Sequence, residues 1–173
     1  MKLRSHIPIG APARREPADG TEPVIRVSFG FEPAWYVQHA DVDFGEAYHF
    51  DPFYRHQAVS RMKRTLLERF PEIPHWESSN PAATISGVHG IYFVARAFGI
   101  ELRYGADRWP LFSHPVDMSV REMEEIDHKT AVNSETMEDL LQQIDRLHGE
   151  FGPVGGYINW QSVINVAFQL RGE

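Results

Sequence analysis

The C-terminal stretch from Val154 to Gly172 reads VGGYINWQSVINVAFQLRG, and it constrains the fold more than any other part of the chain. A glycine pair leads into an apolar run that predicts a strand. The polar and aromatic residues Asn159, Trp160 and Gln161 follow, and then comes a predicted helix with Gly172 at its C-cap. Binding and reactive groups of α/β proteins collect where strands lead into helices. We therefore expect a candidate site here, in a strand–helix unit that belongs to a larger architecture.

Composition narrows the class of protein. With 173 residues, 42% of them hydrophobic, the chain is long enough for one domain with a sizeable core. A net charge of −7 without a long basic run argues against nucleic acid or an anionic membrane as partner. The absence of cysteine excludes disulfides and thiolate ligands from this chain. No apolar run is long enough for a membrane helix or a signal peptide, so we expect a cytoplasmic protein.

The chain divides into an arm and a globular part. Residues 1–22, rich in proline, glycine and charge, are predicted to form a flexible arm, and residues 23–173 are predicted to form the folded domain. A loop containing Pro33, Asp41, Asp43 and Gly45 is predicted near its start. Apolar patterning predicts strands at 24–29, 82–86, 100–104 and in the last segment, and helices at 52–70, 88–98, 120–126, 137–147 and at the end.

Three end signals support these helices. Ser119 and Glu122 form a capping-box pattern, Gly99 suits a left-handed cap, and Gly149 is expected to close the helix before it. Strands alternate with helices, and no Asn-Gly or Asp-Gly hairpin signal is present. This order favours a parallel α/β sheet or barrel over an antiparallel sandwich.

Three passages carry a likeness to a known family. They are IRVSFGFEPAWY (25–36) with DPFYRHQAVSRMKRTLLERFP (51–71), PAATISGVHGIYFVARAFGIELRYGADRWPLFSHPV (81–116), and GPVGGYINWQSVINVAFQLRG (152–172). Their order and pattern resemble the N-terminal half of the uroporphyrinogen decarboxylase superfamily, including its "LG" turn and its "LRG" helix end. The resemblance covers nearly all of the chain after the arm.

The resemblance implies a fold and a partner. That superfamily is built on a TIM (β/α)8 barrel about twice as long as this chain. Residues 23–173 would then be the N-terminal half of such a barrel, completed by a second half-barrel chain or by a homo-oligomer. Left open, a half-barrel would expose an apolar sheet edge and helix flanks.

Departures from the family pattern select among its activities. Ser28 and Glu32 stand where the decarboxylases have substrate-gripping arginines, and His89 or Gly90 stands where they have a pyrrole-binding aspartate. The chain is therefore closer to the methyltransferases, which pass methyl groups between small methylated donors, corrinoid proteins and thiols. Their zinc ligands lie in the second half, and the corrinoid (cobalamin) belongs to a partner. We expect no cofactor to be bound by this chain alone.

The leading functional prediction is methyl transfer by a completed barrel, with an apolar mouth that excludes water and polar groups that orient the donor. One alternative is a catalytically silent half-barrel that serves binding or assembly. Another is a decarboxylase or lyase of a small acid, which would need a basic clamp that the sequence does not reveal. The candidate substrate-binding residues are Phe29, Phe31, His89, Tyr92, Asn159 and Trp160, and no catalytic residue is assigned.

Several of these residues have a structural alternative. Phe29 and Phe31 fit either a mouth lining or plain core packing, and His89 fits either a hydrogen-bonded core histidine or a site residue. His49, Asp51 and His56 lie close together, but their spacing matches no zinc motif. Because a proline follows Asp51, we expect that aspartate to cap a helix, and no metal site is predicted.

Overall fold

The structure, a computed structural model, describes residues 30–71, 82–159 and 161–172. The predicted arm, the strand at 24–29, Phe29 and Trp160 lie outside these residues. Within them the chain forms eight α-helices, a 3-10 turn and two strands. They are α1 (Pro33–Ala40), α2 (Glu46–Phe50), α3 (Pro52–Arg69), the 3-10 turn (Gly90–Tyr92), α4 (Phe93–Ala97), β1 (Leu102–Gly105), β2 (Arg108–Phe112), α5 (Val120–Glu124), α6 (His128–Val132), α7 (Glu135–Phe151) and α8 (Val163–Arg171).

The loop predicted near the start of the domain is formed only from Asp41 to Gly45, because the residues before it form a helix. Pro33 is the first residue of α1, where its fixed φ suits a helix start. Asp41 ends α1 in a left-handed conformation with φ +50°. Gly45 is the N-cap of α2, and its N–H donates to the side chain of Asp43 at 2.6 Å.

Helix α3 begins where the sequence places it. The carboxylate of Asp51 accepts a hydrogen bond from the N–H of Phe53 at 3.0 Å, which confirms the predicted cap. Ala58 and Leu66 are buried on the inner face of α3. They pack in the first core cluster with aromatic and aliphatic side chains from α1, α2 and the turn between them, namely Tyr36, Ala40, Val42, Phe44 and Tyr48.

The single helix predicted at 88–98 is wrong. His89 has φ +54°, and Gly87 and Gly90 on either side of it also have positive φ, so the chain cannot continue as a right-handed helix there. A tight turn and the 3-10 turn replace the first part of the predicted helix, and only α4 remains. Gly99 follows with φ +95°, which confirms the left-handed position predicted for it.

Strands β1 and β2 form an antiparallel pair, with Leu102 opposite Phe112. The strand predicted at 100–104 is confirmed from Leu102 onward, but it belongs to a hairpin that the sequence did not predict. The turn between the strands contains Ala106 and Asp107 and lacks the Asn-Gly or Asp-Gly signal. Pro110 lies in β2. A proline has no N–H to donate, but both strands of a two-stranded sheet have one unpaired edge where no such donor is needed.

A parallel contact joins two distant segments. Thr84 and Gly155 form a parallel bridge, with the N–H of Ile85 donating to the Gly155 carbonyl at 3.1 Å and the Gly155 N–H donating to the Ala83 carbonyl at 2.9 Å. A Cβ at Gly156 would lie 2.8 Å from the hydroxyl of Thr84, so the close approach requires glycine. Strands were predicted at 82–86 and in the last segment, and their described residues form this single bridge instead of two full strands. Together with the hairpin, it closes no barrel within the described ranges.

The helices of the C-terminal half largely follow the sequence. The capping box at the start of α5 is formed, since Ser119 and Glu122 exchange side chain to backbone hydrogen bonds. Helix α7 runs past Gly149, where its end was predicted, and stops at Gly152, which has φ +77°. Helix α8 ends at Gly172 with φ +90°, as expected.

A second core cluster joins the parallel bridge to the helices beside it. Its buried members are Val88, Phe93 and Leu140, and the half-buried side chains around them are Ile85, Met137, Ile144 and Ile158. The bridge and this cluster therefore hold α4 and α7 beside the two segments that contain Thr84 and Gly155.

Among the described residues, no helix has the length and apolar content that crossing a bilayer requires.

Candidate functional site

His89 occupies a strained and buried position just after the parallel bridge. Its side chain is 0% exposed, and its backbone has φ +54°. A left-handed conformation costs a residue with a side chain about 1–2 kcal/mol, and such strain clusters at functional sites. A Cβ at the neighbouring Gly90 would lie 3.3 Å from Pro110 Cδ, so β2 packs closely over this turn. The surrounding structure therefore imposes the conformation of His89.

Two hydrogen bonds hold His89, one at its backbone and one at its imidazole. Its backbone N–H donates to His49 Nδ1 at 3.0 Å, and its own Nδ1 lies 3.0 Å from the hydroxyl of Tyr104. The rings of Phe50 and Phe93 lie 5.1 Å and 6.1 Å from it, centroid to centroid. Its Nε2 is buried and has no hydrogen-bond partner. His89 is thus both a packed core histidine and a group in contact with Tyr104.

Both buried histidines are neutral at neutral pH. Burial, reinforced by the charge of Arg96, lowers the pKa of His89 from 6.5 to about 2. Burial and the charge of Arg55 lower the pKa of His49 to about 3. Because His49 Nδ1 accepts a hydrogen bond, we assign its proton to Nε2.

Tyr104 connects His89 to an arginine. Burial raises the pKa of Tyr104 to about 12, so its phenol keeps its proton. The hydroxyl accepts a hydrogen bond from Arg96 Nε at 3.4 Å, and we assign its proton to the bond with His89 Nδ1. Arg96 Nη1 donates to the hydroxyl of buried Thr136 at 2.9 Å, and its guanidinium lies 5.4 Å from the centre of the Phe50 ring. These hydrogen bonds therefore link His89 through Tyr104 and Arg96 to Thr136 at the start of α7.

This chain of hydrogen bonds ends at a cleft of about 460 Å³. Arg96 and Tyr104 form part of its wall, and the side chains of Glu101 and Glu135 are exposed at its edge. The polar and charged residues that line it are Arg96, Glu101, Tyr104, Ser134, Glu135 and Thr136. The cleft therefore contains one cation and two carboxylates.

A buried arginine supports the site from below. Arg55 of α3 is 0% exposed, and its guanidinium donates to the carbonyls of Tyr48, His49 and Thr84 at 3.1, 3.4 and 3.3 Å. Gln143 of α7 donates to the same His49 carbonyl at 3.0 Å. Burial lowers the pKa of Arg55 to about 10, which leaves it charged at neutral pH. These bonds tie α2, α3 and α7 to the strand segment that contains Thr84.

The other candidate residues within the described ranges are dispersed. The ring of Phe31 lies 4.2 Å from that of Trp35 in the aromatic packing around α1, and the ring of Tyr92 lies 5.9 Å from that of Phe112. Asn159 is half-buried at the end of the bridge segment. No hydrogen bond or ring contact among the described residues joins these side chains to one another or to His89. The structure thus connects His89 to the cleft through Tyr104 but does not assemble the predicted set into one mouth.

Metal binding has no support in the described part of the chain. No three histidine, aspartate or glutamate side chains come together there in an arrangement that would hold a metal ion. Asp51 caps α3, and the ring of His56 stacks on Phe151 at 4.1 Å. With no cysteine in the sequence, these residues do not fit the zinc site implied by the resemblance, and its ligands would have to come from a second half.

Sequence reasoning missed four residues of the site, namely His49, Arg55, Arg96 and Tyr104. One of them carried a signal: Arg55 shares a helix face with Ala58 and Met62, where an isolated charge among apolar residues indicates a buried and partnered group. Arg96 and Tyr104 carried none, because their partners are distant in sequence.

No known protein family, no curated protein and no solved structure shows significant similarity to this chain.

Proposed function

We propose that this chain is the N-terminal half of a uroporphyrinogen-decarboxylase-like barrel. When completed by a second half, the barrel transfers a methyl group between a small methylated donor and a corrinoid protein or a thiol. The proposal starts from the resemblance of the three passages and uses the geometry around the parallel bridge.

The parallel bridge is the observation that carries the proposal. Thr84 and Gly155 run in the same direction, so the residues that follow each of them lie at the same end of the pair. His89 follows the first segment and Asn159 follows the second. Ligands of parallel α/β proteins bind at this carboxyl end of the strands. The bridge therefore supports a common site for two candidate residues that are far apart in sequence.

Within this proposal the chain supplies orientation and exclusion of water. The amide of Asn159 offers one donor and one acceptor direction to a polar donor headgroup. Apolar side chains at the mouth would exclude water from the reacting methyl group. A corrinoid carried by a partner supplies the centre that accepts or gives the methyl group. Zinc, where the acceptor is a thiol, would be held by the second half, since no three potential ligands come together among the described residues of this chain.

The test uses the full chain together with a C-terminal half-barrel polypeptide of the same family. The purified complex is mixed with cob(I)alamin and with methanol, a methylamine or a methyl thioether, and formation of methylcobalamin is followed by absorbance. We expect transfer from one of these donors. Replacing Asn159→Ala should lower kcat/KM about tenfold, since a lost hydrogen bond is worth about 1 kcal/mol or more.

The control is Asn133→Ala at the exposed end of α6, which should leave the rate unchanged. A complex that forms but transfers no methyl group would contradict the enzymatic part of the proposal. Failure to form a complex would contradict the half-barrel itself.

A second candidate function, a silent binding or assembly module, is favoured by α8. Its residues Val163, Ile164 and Phe168 are 85%, 79% and 52% exposed. Such a patch is typical of a protein interaction surface and does not require chemistry. A lyase of a small acid has less support, because the cleft offers the single cation Arg96 and no basic clamp.

A further inference from the structure

The cleft between α4, β1 and the start of α7 has an unbalanced charge. Among the described residues, Arg96 is the only cation in its lining, whereas Glu101 and Glu135 are both exposed at its edge. No carboxylate of the described residues lies within ion-pair distance of Arg96. A half-buried guanidinium without an acidic partner is unusual, because partial burial raises the cost of an unpaired charge.

Arg96 is held in place by contacts that leave part of it available. Its Nε and Nη1 donate to Tyr104 and Thr136, and the ring of Phe50 lies under its plane. Its Nη2 donates to no described residue. An arginine that is oriented in advance loses little conformational entropy when it binds a ligand. The available Nη2 can donate a charge-assisted hydrogen bond to a carboxylate oxygen.

A simple anion would not match the rest of the cleft. Glu101 and Glu135 would repel it, and with Arg96 they give the lining a formal charge of −1, from one positive and two negative groups. A ligand with a carboxylate at one end and a cationic nitrogen at the other would satisfy both signs. Ile100 and Leu102 supply apolar wall for the carbon atoms between the two charges.

We infer that this cleft binds a small zwitterion of the amino acid or betaine class. The carboxylate of the ligand binds Arg96, and its cationic nitrogen lies near Glu101 and Glu135. The chain His89–Tyr104–Arg96 holds the guanidinium in the orientation that binding requires.

An N-methylated zwitterion would also carry the group that the proposed function transfers. Glycine betaine is the smallest such compound with a quaternary nitrogen. Its binding to the cleft does not depend on the proposed function, in which Asn159 orients the donor, whereas a role for it as methyl donor would rest on that function.

Isothermal titration calorimetry on the full chain tests the inference with three probes. They are glycine betaine, acetate as the anion alone, and tetramethylammonium as the cation alone. We expect glycine betaine to bind at least about tenfold more tightly than either single-charge probe. Acetate binding as tightly as glycine betaine, or no saturable binding of glycine betaine at millimolar concentrations, would overturn the inference.

Substitutions locate the binding. Arg96→Gln should weaken glycine betaine binding about tenfold to a hundredfold, because a hydrogen bond to a charged group contributes about 1.5–3 kcal/mol. Arg103→Gln removes an exposed arginine of β1 outside the cleft and should change the affinity less than about twofold.

A second variant covers the case in which Arg96→Gln fails to fold. Glu101→Gln with Glu135→Gln alters two exposed side chains and changes the formal charge of the lining from −1 to +1. We expect acetate then to bind more tightly than glycine betaine. An unchanged preference would show that the glutamates do not select the ligand, and the inference would be wrong.

The two proposals fail separately. Binding of glycine betaine to the cleft without methyl transfer by the completed complex contradicts the proposed function and leaves this inference intact. Methyl transfer from another donor, with no glycine betaine binding, does the reverse.

Discussion

Helices α7 and α8 are both amphipathic, but the chain covers them to very different extents. Helix α7 buries Leu140 and Leu147, and its polar Gln143 reaches the carbonyl of His49 in the interior. Helix α8 buries Leu170 near its end but leaves Val163 and Ile164 exposed at its start. The apolar face of α7 is therefore largely covered by the rest of the chain, whereas that of α8 is covered only near its end.

This difference distinguishes the part of the molecule whose side chains are buried within the chain from the part whose apolar side chains stay exposed. The buried polar groups around Arg55 and His49 lie on the side of α7, where the hydrogen bonds are direct and internal. The exposed side chains of α8 follow the second segment of the parallel bridge. A second half-barrel would be expected to pack there, which is the physical content of our proposal.

The largest expected loss of stability comes from replacing Arg55, the buried arginine of α3. Arg55→Met preserves most of the side-chain volume but removes the side-chain donor of the Tyr48 and Thr84 carbonyls, whereas the His49 carbonyl keeps its bond from Gln143. We expect a loss of about 4 kcal/mol in the free energy of unfolding, measured by urea denaturation. Arg61→Met, on the same helix but in a solvent-exposed pair with Asp41, should cost less than about 1 kcal/mol. Equal losses would mean that the interior is not organised around Arg55.

Helix α7 allows a matched comparison within one element. Leu147→Ala removes a fully buried side chain and should lower the free energy of unfolding by about 3 kcal/mol. Leu141→Ala changes a residue that is 54% exposed and should cost less than about 1 kcal/mol. Thermal or urea denaturation measures both, and similar losses would show that α7 is not covered as the structure has it.

Acid should destabilise the enclosed side. The pKa values of His49 and His89 fall from 6.5 in the unfolded chain to about 3 and about 2 in the fold. Between these values the unfolded chain binds more protons, so stability is present above pH 6.5 and is lost as the pH falls. From about pH 6.5 to about pH 5.5 the two groups together should remove about 2 kcal/mol from the free energy of unfolding.

A single variant checks this pH effect. His89→Asn retains a residue that tolerates the left-handed backbone and removes one titrating ring. Its free energy of unfolding, measured across the same pH range, should fall by about 1 kcal/mol less than that of the unchanged chain. An unaltered slope would show that His89 is not held neutral by burial.

The smallest expected effect lies on α8. Ile164→Ser alters a side chain that is 79% exposed and should change the free energy of unfolding of the isolated chain by less than about 0.5 kcal/mol. Leu170→Ala, on the same helix but buried, should cost about 3 kcal/mol. A large loss from Ile164→Ser alone would mean that the chain itself covers the start of α8.

The sequence anticipated this contrast only in part. Helices α3, α5, α7 and α8 follow from apolar spacing and from caps such as Asp51 and Ser119, because those signals act between neighbouring residues. The hairpin was missed because its turn lacks the residues that usually announce one. The helix predicted at 88–98 failed because the left-handed backbone of His89 is imposed by distant packing.

The site was harder to predict than the helices. His89 was singled out by the resemblance, at the position of a pyrrole-binding aspartate, but its contacts with His49 and Tyr104 depend on elements far away in the sequence. Arg96 lies on a short helix of mostly apolar residues and gives no local sign of its bond to Thr136. A site whose residues are far apart in the sequence produces little signal in the local residue pattern.

The mass of the purified chain in solution, determined by light scattering after size-exclusion chromatography, tests the central claim most directly. Our account predicts that the chain associates, either with itself or with a completing half-barrel, and that Val163→Ser with Ile164→Ser reduces the measured mass to that of one chain. A stably folded single chain that binds no second half, with a mass unaffected by those substitutions, would contradict it.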